Sequence, residues 1–427
     1  MFSLKRITLL LGVLLLFSLS FSFVAAQDEV IDWWHIQTVE DHANYWQMVA
    51  DDFMAANPGV QINITILENE AFKSQLVTVM QAGDPPDLFQ SWGGGILWQF
   101  GEAGLLRDIS AEMDADDGAW RNTFSSQGAL NLFGYEGQQW GAPWNWSAVG
   151  MFYNKALFAE AGLDPDAPPA TWSEFLDAIE ALKAAGITPI TIGEQDRWPG
   201  HFWYAYLALR TGGGDAYTAA YSREGAFTDE PFVQAYQLLA DLVEASAFQE
   251  GFLGQGYGAS AGNMGRGEAA MHLMGAWDPP TQIDNCDCDG LGDDLGWFPF
   301  PAVEGGAGNA DDAFGGGDGF VIGKDAPDAT VAFLQYITSP EVQRGASEIW
   351  TLPTVTGLED TYEDNPITSA IVTARDGASF FMSFLDQFYP PPLAQSVLDT
   401  VEGVMAGTLS PEEAAAQLED VASFELE

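Results

Sequence analysis

Basic side chains are scarce. The 427 residues hold 14 Lys and Arg against 62 Asp and Glu, a formal charge of −48. A chain this acidic repels phosphate backbones and anionic lipid headgroups, which excludes nucleic-acid binding and polybasic membrane docking. Histidine is nearly absent, with four residues, too few for much imidazole chemistry. The only cysteines are Cys286 and Cys288. Two residues apart, they either pair in an oxidising compartment or stay as thiols, and neither state can staple distant parts of the fold. Beyond residue 26 no apolar run is long enough to span a bilayer. Zinc-ligand spacing, a phosphate loop and a catalytic-triad signature are all missing, so no cofactor is expected.

Core material, by contrast, is abundant. Residues of the AVILMFWYC set make up 47%, with 15 Trp, 12 Tyr and 28 Phe, which excludes a disordered chain. Residues 1–26 read as a secretion signal: Lys5 and Arg6, an apolar run from Ile7 to Val24, then Val24-Ala25-Ala26 before a cleavage point at Gln27. No cysteine lies at that point, so the expected product is exported to the periplasm or cell exterior without a lipid anchor. Removing this segment takes away two basic residues and no acid. The remaining 401 residues carry 12 basic and 62 acidic side chains, a charge of −50. Their number implies more than one domain.

Strand and helix signals alternate. Val30–His35 is β-rich. Tyr45, Met48, Val49 and Phe53 recur at helical spacing until Asn57-Pro58-Gly59. Val60, Ile62, Ile64 and Ile66 alternate as in a half-buried strand. Phe72, Leu76, Val79 and Met80 mark a helix, and Asp87–Gln90 a short strand. A β-α-β-α-β series predicts an α/β domain with a largely parallel sheet, whose ligands sit at the carboxyl ends of strands. After Trp140–Trp146 a second α/β series begins with a strand over Val149–Asn154. Thr171-x-x-Glu174 and Ser410-Pro-Glu-Glu413 are capping boxes that open helices. Pro-rich breaks fall near 142–147, 297–302 and 350–355.

Several stretches occur together in an ordered series. They are Phe53-x-x-x-Asn57-Pro58-Gly59, Ala82–Leu88, Gly141–Trp144, Met151–Lys155, Pro168–Phe175, Gly275–Trp277, Gly315–Ile322 and Ser339-Pro-Glu-x-Gln343. In that order the chain resembles the extracellular solute-binding proteins of ABC importers, in the carbohydrate-binding family that includes maltose-binding protein. The resemblance covers nearly all of residues 30–420. It implies an α/β, two-lobed periplasmic-binding-protein fold of type II, with discontinuous lobes, three hinge crossings and an interlobe cleft. The lobes would be 27–145 with 302–350, and 148–297 with 355–427. The hinges would lie at the three Pro-rich breaks. It further implies a monomer that captures a sugar by closing and delivers it to membrane permease subunits.

Neutral sugars present apolar C–H faces and a ring of hydroxyls, so they need aromatic platforms and hydrogen-bonding amides or carboxylates. Trp33 and Trp34 stand at the carboxyl end of the first strand, where relatives in the glucose-binding branch use a Trp pair. Adjacent strand residues face opposite ways, so at most one is core. Glu40 matches a hydroxyl-binding position of relatives, and equally suits the positive end of a helix. Trp92 follows a strand and precedes Gly93–Gly95. Trp144 and Asn145 occupy the first crossing with Trp146, and Trp198 precedes a helix. The resemblance puts a sugar-stacking ring at Trp277 and a hydroxyl ligand at Asp318. Trp120, Trp172 and Trp297 read as packing residues, and Trp350 and Arg344 as core or surface.

Asn285-x-Asp287-x-Asp289-Gly290, with Asp293 at the ninth position, imitates a calcium loop. Gly296 stands where the twelfth-position Glu belongs, so the stretch reads first as a solvated loop and no metal is expected. Two other ligand readings remain. An acidic, Trp-rich cleft could cage a quaternary ammonium or other cationic solute, and paired carboxylates could process glycosides. The expectation is a binding protein and not an enzyme.

Overall fold

The computed structural model describes residues 29–426. The expected secretion signal and its cleavage point lie outside them. Among the described residues no helix is long and apolar enough to cross a membrane.

The first five elements follow the predicted alternation. They are β1 (Glu29–His35), α1 (Glu40–Ala56), β2 (Val60–Ile66), α2 (Asn69–Ala82) and β3 (Leu88–Ser91). Along β1, Ile31, Trp33 and His35 turn to one face and are buried, whereas Trp34 packs on the other. The first sheet has the order β10-β9-β3-β1-β2, with β4 (Gly141–Ala148) paired to β9 (Ala313–Ile322); β10 is Phe381–Ser383. Strands β1, β2 and β3 run parallel, and β9 runs antiparallel to β3 and β4. One face of this sheet carries a core of Trp33, Trp46, Phe320 and Phe333, closed by α1 and by α8 (Asp328–Ile337). On the opposite face Phe72, Leu97 and Phe133 pack.

Past Val149 the chain leaves β4 and enters a second sheet, ordered β8-β5-β7-β6. Its strands are β5 (Gly150–Asn154), β6 (Thr188–Ile190), β7 (Ala269–Met274) and β8 (Leu295–Phe298). The helices associated with it are α3 (Trp172–Ala184), α4 (Trp198–Tyr221), α5 (Glu230–Glu244), α6 (Tyr257–Gly265), α7 (Asp278–Cys286), α9 (Pro391–Met405) and α10 (Pro411–Glu425). Both capping boxes form: Thr171 and Glu174 open α3, and Ser410 and Glu413 open α10 with Pro411 at its first turn. The short β10 pairs with Ala313–Gly315 of the first sheet. The C-terminal stretch therefore adds a strand to the first sheet and helices to the core around the second.

Candidate functional site

A cavity of about 320 Å³ lies between the two sheets, within the size range of small-ligand sites. Its first wall is built at strand ends. Gln37 and His42 follow β1, Trp92 follows β3, and Lys73 reaches in from α2. The carboxyl ends of parallel strands thus face the opening, as this sheet type requires. The opposite wall comes from helix starts: Trp198 and Phe202 of α4, Tyr257 of α6, and Trp277 at the head of α7.

The floor is an irregularity in the pairing of β4 with β9. Asp318 pairs with Asn145, but the next residue, Gly319, pairs with Pro143. Trp144 is therefore the extra residue of a β-bulge, a device that re-aims side chains. Its ring lies parallel to Phe320 at 5.7 Å and edge-on to Trp46 at 5.0 Å. Only a margin of the ring borders the cavity, since Trp144 is 3% exposed.

Asp318 is held from two sides. Gln90 donates to Oδ1 at 2.8 Å and Asn145 to Oδ2 at 2.9 Å. The carboxyl is deep in the molecule yet reachable from the cavity. Burial pushes its pKa up to about 6, with the amides of Asn145 and Gln90 and the Trp92 indole pulling the other way. Asn145 Oδ1 accepts the Leu352 backbone amide at 3.0 Å. This acceptor leaves the NH₂ group for Asp318.

Rings stand on both walls. Trp92 carries the Lys73 ammonium 5.5 Å above it. Trp198 meets Tyr257 edge-on at 4.9 Å. The Tyr257 hydroxyl donates to Asp278 at 3.1 Å. This buried carboxylate also accepts from Gln282 at 2.7 Å and contacts His272 Nδ1 at 2.9 Å. Trp277 folds back over Gly275, where any Cβ would meet the indole at 2.0 Å. A glycine at 275 is thus a requirement of that ring position.

Six expected residues come together here: Trp92, Trp144, Asn145, Trp198, Trp277 and Asp318. Three do not. Trp33 is 0% exposed, enclosed by Trp46, Phe320 and Phe333, which corrects the expectation that it reaches ligand. Trp34 packs in the cluster on the other face of the sheet and is not among the residues that line the cavity. Glu40 is exposed in the first turn of α1, where its charge suits the helix dipole.

Trp350 corrects the reading in the opposite sense. It lines the cavity, held at φ +65° in the left-handed region that a bulky residue rarely adopts. His42 was missed as well. It is buried, with Nδ1 2.9 Å from the Gln37 oxygen, and desolvation lowers its pKa. Position just after β1 is the signal that could have found it. Arg344 is an exposed partner of Asp360.

The imitation calcium loop takes another form. Asn285 belongs to α7, its amide donates to Thr281 O at 2.9 Å, and it borders the cavity. Cys286 and Cys288 are joined by a disulfide. Among the described residues no group of three or more His, Cys, Asp or Glu is placed to share an ion.

The model of the bacterial extracellular solute-binding protein family matches residues 38–344, well over half the chain. This chain belongs to that family. A probable sugar-binding periplasmic protein of Mesorhizobium japonicum is 26% identical over 414 residues, covering 94% of this chain and 95% of the relative. An ABC transporter extracellular-binding protein of Pyrococcus horikoshii is 23% identical over 407 residues, covering 92% and 82%. Among solved structures, a chitin oligosaccharide binding protein superposes with TM-score 0.83 at 25% identity, covering 93% of this chain and 99% of that one. A protein from work on xylan utilisation by Caldanaerobius polysaccharolyticus gives TM-score 0.83 at 27% identity, with 92% and 99% covered. The chain has the two-lobed type II fold of these proteins. The family is extracellular or periplasmic and made up of substrate-binding transporter components.

Proposed function

We propose that this chain captures a neutral carbohydrate in the cleft and delivers it to the permease of an ABC importer. The observation that carries this reading is the pairing of opposed aromatic faces with a deep carboxylate held by two amides. Trp92 stands on one wall, Trp198 and Trp277 on the other, and Asp318 on the floor between them. Rings cover the apolar faces of a sugar, and Asp318, Asn145 and Gln37 exchange hydrogen bonds with its hydroxyls. The sugar-binding relative and the chitin oligosaccharide binding protein support the carbohydrate class. A quaternary ammonium is the weaker candidate, because the Lys73 ammonium already occupies the face of Trp92.

The hinges in this proposal are 142–147, 297–302 and 350–355, joining lobes 27–145 with 302–350 and 148–297 with 355–427. Ligand contacts from both walls favour the closed arrangement, which is how binding drives closure. The protein acts as an exported monomer without a lipid anchor, cut before Gln27. It performs no chemistry on its ligand and binds no nucleic acid. Calorimetry on Trp92→Ala, Trp277→Ala and Asp318→Ala tests the site. Each is expected to weaken sugar binding, and unchanged affinity in all three would remove the assignment.

A further inference from the structure

The helix α7 presents Trp277, Thr281, Asp284 and Asn285 to the cavity. Their spacing is that of a single helix face. At its other end charge support comes from outside the helix, where the Arg266 guanidinium donates to Asn285 O at 3.2 Å. The last turn holds no basic residue, and Asp284, Asp287 and Asp289 crowd the negative pole of the helix dipole. Two further features oppose fraying. Glycines of α6 let the two helices approach closely: a Cβ at Gly262 would meet Asn285 O at 2.4 Å, and one at Gly265 would meet Gln282 O at 2.6 Å. The second feature is the Cys286–Cys288 bond, which closes around Asp287 at φ +53° just where the helix stops.

We propose that this disulfide is a positioning device for the cleft wall. It holds the last turn of α7 so that Asp284 and Asn285 stay on the ligand face. Its ring is too short to remove much entropy from the unfolded chain, so its effect is local rather than global. Cys286 is buried and Cys288 exposed, which leaves the bond open to a small dithiol. A dithiothreitol thiolate attacks Cys288 Sγ and the S–S bond breaks. The Cys286 thiolate leaves and takes a proton. The second reductant thiol then closes oxidised dithiothreitol, releasing Cys288 as a thiol, with two electrons and two protons transferred overall.

Hydrogen–deuterium exchange on the full chain tests this, comparing oxidised protein, protein in dithiothreitol, and the double variant Cys286→Ser with Cys288→Ser. Amides of 281–286 are expected to exchange about tenfold faster without the bond, with other helices and Tm unchanged. Unchanged exchange at 281–286 overturns the proposal, and so does acceleration across the whole chain with a fallen Tm. The effect on affinity rests on the sugar-binding reading: a sugar bound by the oxidised protein should bind about tenfold more weakly to the reduced one. Exchange needs no ligand. If no sugar binds the oxidised protein, the functional reading fails while exchange still decides the role of the disulfide.

Discussion

The side-chain amide of Asn145 donates to Asp318 at 2.9 Å across the β4–β9 pair, and its oxygen accepts Leu352 N at 3.0 Å. One amide therefore joins the carboxylate on the cleft floor to two of the segments proposed as hinges. In the proposed site, ligand contact and lobe geometry share this residue.

Asn145→Ala leaves Asp318 short of a donor and Leu352 N without its acceptor. Hydrogen bonds to charged groups contribute about 1.5–3 kcal/mol. We expect a loss of about 2 kcal/mol in urea unfolding, together with weaker ligand binding. A change in affinity with no change in stability would show that the bond to Leu352 is not structural.

Asp318 titrates near 6 when folded, above its ordinary 3.8. The folded state holds this proton more tightly than the unfolded chain. Its contribution to stability is fully present below pH 3.8 and is lost as pH rises to about 6. Ligand hydroxyls donate more strongly to the ionised form of Asp318, so affinity should run the opposite way, rising from pH 5 to 7 with a loss of up to about tenfold one pH unit below the pKa. Calorimetry across this range checks the sign. Asp318→Asn should flatten the profile.

Two tryptophans with different surroundings should part company on truncation. Trp33→Ala opens the first-lobe core and should cost about 3–5 kcal/mol in chemical denaturation. Trp277→Ala removes a ring from the wall and should raise Kd about thirtyfold, or 2 kcal/mol, with a small change in Tm. Equal stability losses in both would place Trp277 in the core.

Charge spread over the surface should act on stability more than on binding. The chain lacking residues 1–26 carries −50, and the Debye length falls from about 10 Å at 0.1 M salt to about 3 Å at 1 M. Tm is expected to rise with sodium chloride while sugar affinity stays nearly constant. A steep fall in affinity with salt would put the working charge in the cleft.

Much of this fold is legible along the chain because its signals are local. Alternation in β2 and the Thr171 and Ser410 side chains act within a few residues, and the structure forms the corresponding strand and capped helices. The site is less local. Alternation shows that Trp33 and Trp34 face opposite ways. Which one is enclosed depends on α8, some 300 residues later, covering the Trp33 face. Asn145 and Asp318 meet only because β4 pairs with β9, and the bulge at Trp144 arises from that pairing. Trp350 and Asn285 reach the cavity through crossings and helix packing that no short window contains.

A thermal-shift screen of mono- and oligosaccharides, with betaine as the cationic comparison, tests the central claim most directly. A sugar at 100 times its Kd should add about 2.7 kcal/mol of stability, and the same sugar should fail to stabilise Trp277→Ala. Stabilisation by betaine alone, or by none of the sugars, would contradict the account.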